Sequence, residues 1–188
     1  MIRVASQLAF CSPNTIRQRM VVELDDQNCI KCIFSLDDGN VESEETLFYD
    51  GILSSGIVSL KQNISGENIS KLINEYQYFD FSENLFTLDI KLTDKPLIID
   101  LGTDLPDKIN NLLPRLSLGM PSLSVFEIIA ACTFYPALVI GRSPGLTEGQ
   151  CINLILWENV DLINKKITVN TRIREMNPES STIKTNHL

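Results

Sequence analysis

Two periodicities are segregated along this chain, and that segregation constrains its fold more than any motif does. From residue 2 to about residue 60 the apolar residues alternate or fall in short blocks. IRVASQLAF, RMVVELDD, NCIKCIFSL and TLFYDGILSSGIVSL are separated by the turn-forming stretches CSPNT and DDGN. Strand-like patterning returns in QCINLILWENVD and KKITVNTRIREM, joined by the polar DLIN. Between these ends lie helical patterns. SGENISKLINEYQYFDF carries Ile69, Leu72, Ile73 and Tyr76 on one face behind Ser65 as a cap. DLPDKINNLLPRL has Pro106 near its start and is expected to stop near Pro114. SLSVFEIIAACTFYPALVIG is capped by Ser122 or Ser124 and is expected to break at Pro136. LFTLDIKL and the buried run KPLIIDLGTD read as strands. Strands from the two ends are expected to share one sheet, and the first fifty residues to form antiparallel β-structure, with Gly51 and Gly56 bending a strand pair. The predicted class is α+β, mainly β, with a small helical insert.

The chain has 188 residues, 44% of them hydrophobic, enough for one domain with a small annex. Its net charge of −8 repels polyanions, so nucleic acid is not an expected partner. Arg17 and Arg19 flank a turn and Lys165-Lys166 sit beside a hairpin, as solvated charges. No apolar run approaches the roughly 18 residues of a membrane span, and MIRVASQLAFCSP fits a first strand better than a secretion signal. A cytoplasmic location follows as the expectation. Five cysteines in no scaffold spacing suit reduced thiols, and Cys29-Ile-Lys-Cys32 lacks the second pair that zinc would need.

The one histidine, His187, stands in the polar tail. Histidine is the usual ligand or base of metal hydrolases, acyl-transfer triads and proton relays. A core without it excludes their commonest forms. Ser143 in SPG is not a nucleophile elbow, and the Asp-rich turns lack calcium-loop spacing. Asp80, Glu83, Asp89, Asp94, Asp100 and Asp107 read as solvated surface. Trp157, Tyr49 and Phe48 read as core.

Several motifs, taken in order, resemble the amidohydrolase superfamily. YDGILSSGIV is similar to that family's entry strand into a (β/α)8 barrel, with Gly51 and Gly56 in place and Ser55 where proline is usual. IIDLGTD looks like the last barrel strand, whose closing acid falls on Asp104. CTFYPALVIG, with Thr133, Pro136, Ala137 and Gly141, is similar to the following helix, Tyr135 replacing an asparagine. LTEGQCINLIL resembles the return to a β-sandwich, with Leu146 and Gly149 fitting and Asn153 where aspartate is usual. The likeness covers roughly residues 1–63 and 96–176.

The resemblance implies a β-sandwich composite domain of residues 1–58 and 146–176, a reduced α/β insert of 59–145 that is a barrel remnant, and a flexible tail at 177–188. It implies hydrolysis of non-peptide C–N bonds at a metal. However, the family's histidine pair falls on Lys61 and Asn63, so both ligand positions are lost. Fewer than forty residues separate Asn63 from Lys95, whereas a complete barrel takes about 250. The expectation is therefore a non-catalytic, truncated relative with no cofactor and no metal, with Asp104 and Lys61 as vestigial candidates. It would serve as a binding, oligomerisation or regulatory module. Residues such as Leu53, Ile57, Leu60, Ile98, Phe126 and Ile129 must be covered by the insert or by another chain. A homodimer or a protein partner is accordingly expected, and no small-molecule ligand is identified. The alternative is a hydrolase or small-ligand protein with a site remodelled around Asp104 and Lys61.

Overall fold

The structure, a computed structural model, describes residues 2–38, 46–65, 74–81, 93–102 and 105–176. The chain is mixed α+β and mainly strand. Six strands form one sheet in the order β3-β2-β1-β4-β7-β8: β1 is Ile2–Ser12, β2 Thr15–Leu24, β3 Ile30–Ser35, β4 Thr46–Ser55, β7 Leu154–Glu158 and β8 Arg172–Met176. A second sheet pairs β5 (Gln77–Asp80) with β6 (Leu97–Asp100). The expected sharing of a sheet by the two chain ends is realised where β4 pairs antiparallel with β7, Leu53 facing Leu156.

The amino-terminal region departs from the antiparallel expectation at one place. β1, β2 and β3 are antiparallel, but β4 lies parallel to β1. TLFYDGILSSGIVSL is also one strand rather than two, ending at Ser55. Gly51 does not bend it into a pair. The β1–β4 register slips between Ser6 and Leu8, so that Gln7 faces both Asp50 and Gly51, and Gly51 takes φ +142°. A Cβ there would stand 2.2 Å from the carbonyl oxygen of Trp157 on β7, so only glycine lets the bulged strand approach this closely.

Helix α1 spans Leu105–Gly119 and runs through Pro114 instead of stopping there. Ile109, Leu112, Leu113 and Leu116 form a buried stripe at helical spacing, and their burial outweighs the lost backbone bond. The next helical stretch starts at Ser124, whose side chain accepts from the Glu127 amide while Glu127 caps the Ser124 amide, a capping box. It does not break at Pro136. Helix α2 (Val125–Ile129) passes through a π-helical turn (Ala130–Phe134) into α3 (Tyr135–Val139), with Pro136 in the first turn of α3. The Cys132 carbonyl lies four residues before Pro136 and so has no α-helical N–H to receive there. It accepts from Val58 N–H at 3.2 Å, which ties the π turn to the segment leaving β4.

The sheet has an apolar cluster on each face. One gathers Phe10, Ile52 and Trp157 with Ile99, Leu113 and Ile129 from the insert. The other gathers Val4, Val22, Leu24, Leu53 and Leu154 under Leu146. Leu53, Leu60, Ile98 and Ile129 are fully buried and Ile57 and Phe126 half-buried, so the insert and the sheet cover these residues within one chain. Trp157 is core as expected, its indole N–H donating to Ser54 Oγ at 2.9 Å.

Two expectations about local structure need correction. Residues 74–76 form a turn and Gln77–Asp80 a strand, not the end of a helix, while residues 66–73 of that predicted helix and the predicted strand 85–92 lie outside the described residues. The last strand begins only at Arg172, because residues 161–166 form a turn closed by an Asp161–Lys166 bridge. Not all five cysteines are thiols either. Cys29 and Cys151 are disulfide-bonded, and Cys11, Cys32 and Cys132 are free. Ile30 N–H donates to Gln150 O and Ile152 N–H to Asn28 O, which makes Cys29 and Cys151 a non-hydrogen-bonded antiparallel pair, the kind whose side chains lie closest.

Candidate functional site

β6 is a run of buried residues, Leu97-Ile98-Ile99-Asp100, and its last member is a carboxylate with no exposure. Burying an ionised carboxylate costs far more than any single contact returns, unless hydrogen bonds replace its water. Asp100 has four. Ser59 Oγ donates to Oδ1 at 2.9 Å and Gly102 N–H to the same oxygen at 3.1 Å. Lys61 N–H donates to Oδ2 at 2.9 Å and the Tyr78 hydroxyl to the same oxygen at 3.1 Å. A carboxylate offers about four lone-pair directions, and all are taken.

The donors arrive from three places. Ser59 and Lys61 lie on the turn that follows β4, Tyr78 lies on β5, and Gly102 stands just beyond β6 with φ +69°. Parallel pairing sets Asp80 directly beside Asp100 at the carboxyl ends of β5 and β6. Lys61 Nζ answers Asp80 with an ion pair of 2.5 Å, both side chains about one-third exposed. Asn63 turns back on the same loop, donating from Nδ2 to Ser59 O at 2.6 Å and accepting from Arg142 Nη2 at 3.2 Å. Burial, first, and then the Asp100 charge and hydrogen bond push the Tyr78 hydroxyl far above its ordinary range, with Asp80 adding to the effect. Tyr78 is therefore a fixed donor, not a base.

The structure brings Lys61 and Asn63 together around Asp100, whereas Asp104 lies outside the described residues. Asp100 was expected on the solvated surface, and it is instead the buried centre of the cluster. The signal was present in the sequence. Three apolar residues lead straight into this aspartate on a fully buried strand, where an acid must have partners. Glu83 and Asp89 lie outside the described residues.

Among the described residues the donor set does not fit a catalytic transition ion. Such an ion takes three protein ligands and an open position. Here the central carboxylate has no lone pair left, Lys61 offers an ammonium, and the Asn63 carbonyl already accepts from Arg142. Among the described residues no three His, Cys, Asp or Glu side chains gather in a metal-binding group. Among the same residues no helix is long and apolar enough to cross a membrane.

No family model, curated protein or solved structure matches the chain.

Proposed function

We propose that this chain is a non-catalytic binding module on an amidohydrolase-like frame: a β-sandwich of residues 1–58 and 146–176, with the insert 59–145 as the reduced barrel. The observation that carries the reading is the saturation of Asp100 by Ser59, Lys61, Tyr78 and Gly102. At the strand ends where the resemblance would put a metal and its water, the polar groups satisfy one another and hold the insert to the sheet. The carboxylate is structural. A homodimer or protein complex stays within this reading as a way to use the module. The apolar residues that a missing barrel would leave bare, such as Leu53 and Ile98, are covered inside the chain. The Cys29–Cys151 disulfide favours an oxidising compartment over the expected cytoplasmic one.

The test is metal analysis of the purified protein after equilibration with zinc, manganese and iron(II), with amide and deaminase substrates assayed on the same sample. The expected result is no stoichiometric metal and no turnover. Stoichiometric metal together with hydrolysis would replace this reading with that of a remodelled hydrolase around Lys61 and Asp104.

A further inference from the structure

A cavity of about 360 Å³ opens at the end of β4, between Ser55–Val58, Ala137 of α3 and the Gln150 segment. Ser54 points toward Trp157, so its neighbour Ser55, by strand alternation, points the opposite way, toward the cavity wall. Ser55 is 5% exposed and its hydroxyl has no hydrogen-bond partner. Across the cavity Gln150 donates its amide to Ser143 O, and its own Oε1 is likewise buried and unpartnered. Two buried polar atoms without partners among the residues lining one cavity are uncommon in a native protein and call for a ligand or water to complete them. Cys151, locked to Cys29, holds the Gln150 segment in place.

The lining chemistry narrows the ligand. Arg142 stands at the mouth, with one Nη2 bond spent on Asn63. Asn28 and Asn153 add amides, and Ile57 and Ile152 add apolar surface. Among the described residues no carboxylate lines the cavity, although the chain carries a net charge of −8. An ammonium would find no counter-charge among these residues, which disfavours amino acids. A phosphate dianion would meet a single guanidinium inside a negative field. A planar carboxylate matches that one fork. Amides and hydroxyls, which both donate and accept, match ligand hydroxyl groups. The volume sits near the lower end of the roughly 300–1,000 Å³ of small-molecule sites.

From the unpartnered Ser55 Oγ and Gln150 Oε1, the Arg142 mouth and the lack of acids among the described lining residues, we infer that this cavity binds a hydroxylated monocarboxylate of monosaccharide size, a sugar acid. The inference deepens the binding reading above and rests on it for the absence of chemistry, since the site is separate from Asp100. Titration calorimetry of the intact chain with D-glucuronate and D-gluconate, against D-glucose, tests it. Saturable binding of an acid is expected, at least tenfold weaker in Arg142→Gln, with glucose binding weakly to both. Ser55→Ala should weaken acid binding several-fold without lowering the melting temperature, because it deletes an unpaired hydroxyl. Lack of saturation by either acid at millimolar concentration overturns the inference, as does unchanged affinity in Arg142→Gln. Metal and hydrolysis assays on the same sample keep the two readings apart. Sugar-acid binding alongside hydrolysis supports this site and removes the non-catalytic reading. Inert protein that binds neither acid removes this site alone.

Discussion

Asn110 and Ile173 exchange two hydrogen bonds: Ile173 N–H donates to Asn110 Oδ1 at 2.7 Å, and Asn110 Nδ2 donates to Ile173 O at 3.2 Å. The side-chain amide of a helix thus stands where the backbone of another strand would pair with β8, the outermost strand of the sheet. The opposite edge is covered in the same way. On β3, Ile30 is engaged by Gly149 and Gln150, the Ile33 amide by Glu148 and the Ser35 amide by Asp38. Open edges invite pairing with other chains, and here both are occupied by the chain's own groups.

Asn110→Ala should therefore lower stability by about 1–3 kcal/mol, the cost of leaving a backbone N–H and carbonyl unanswered. Urea midpoints check this. Light scattering after gel filtration should show new association at the bared β8 edge. Asn110→Asp, which keeps the acceptor for Ile173 N–H, should lose less.

Asp100→Asn should destabilise by about 3 kcal/mol, because an NH₂ replaces one oxygen and faces donors on either side. The Ser59 and Tyr78 hydroxyls can rotate away, but the Gly102 and Lys61 N–H groups cannot. The same change removes the charge that helps raise the Tyr78 hydroxyl, so the phenol should ionise at lower pH in the variant, as read by near-ultraviolet absorbance.

Glu23 is buried on β2 between Arg3 at 2.8 Å and Lys31 at 3.0 Å, and hydrogen bonds from these two hold its carboxyl below the usual range. A lowered folded-state value means that the contribution is present above the unfolded value, near 4.3, and is lost as the pH falls through the folded one. Glu23→Gln should be clearly less stable than the natural chain at neutral pH, and the two stabilities should converge in acid. Parallel denaturation curves across pH 2–7 would reveal a constant gap if this account were wrong.

Peptide mapping without reductant should recover Cys29 joined to Cys151, which lie 122 positions apart. Cys151→Ser should cost about 2–4 kcal/mol, by releasing a long loop in the unfolded chain. Reductant should cost the natural protein the same amount and the variant nothing. In the native state Cys132 should not react with thiol reagents, since it is fully buried and burial pushes its thiol well above the ordinary range.

Much of the framework was legible because it rests on local chemistry. Pro13-Asn14 marks the β1–β2 turn, Ser124 with Glu127 marks a helix start, and β-branched runs at both ends mark strands that need each other. The site was less legible because its parts are distant in sequence. Ser59 and Asp100 are 41 residues apart, and Cys29 and Cys151 lie further apart still. The parallel placement of β4 beside β1 follows from tertiary packing rather than from strand pattern. Pro114 and Pro136 misled for a related reason. Each appears as a helix breaker until burial of the flanking leucines, or a carbonyl diverted to Val58, offsets its missing N–H.

The β4–β7 seam, where Ser54 and Trp157 touch across 103 positions, has a consequence for synthesis. A nascent chain emerging from the ribosome carries β4 and its neighbour β1 long before β7, the strand on the other side, exists. The amino-terminal half must wait with one side of β4 bare until Leu154–Glu158 have been made.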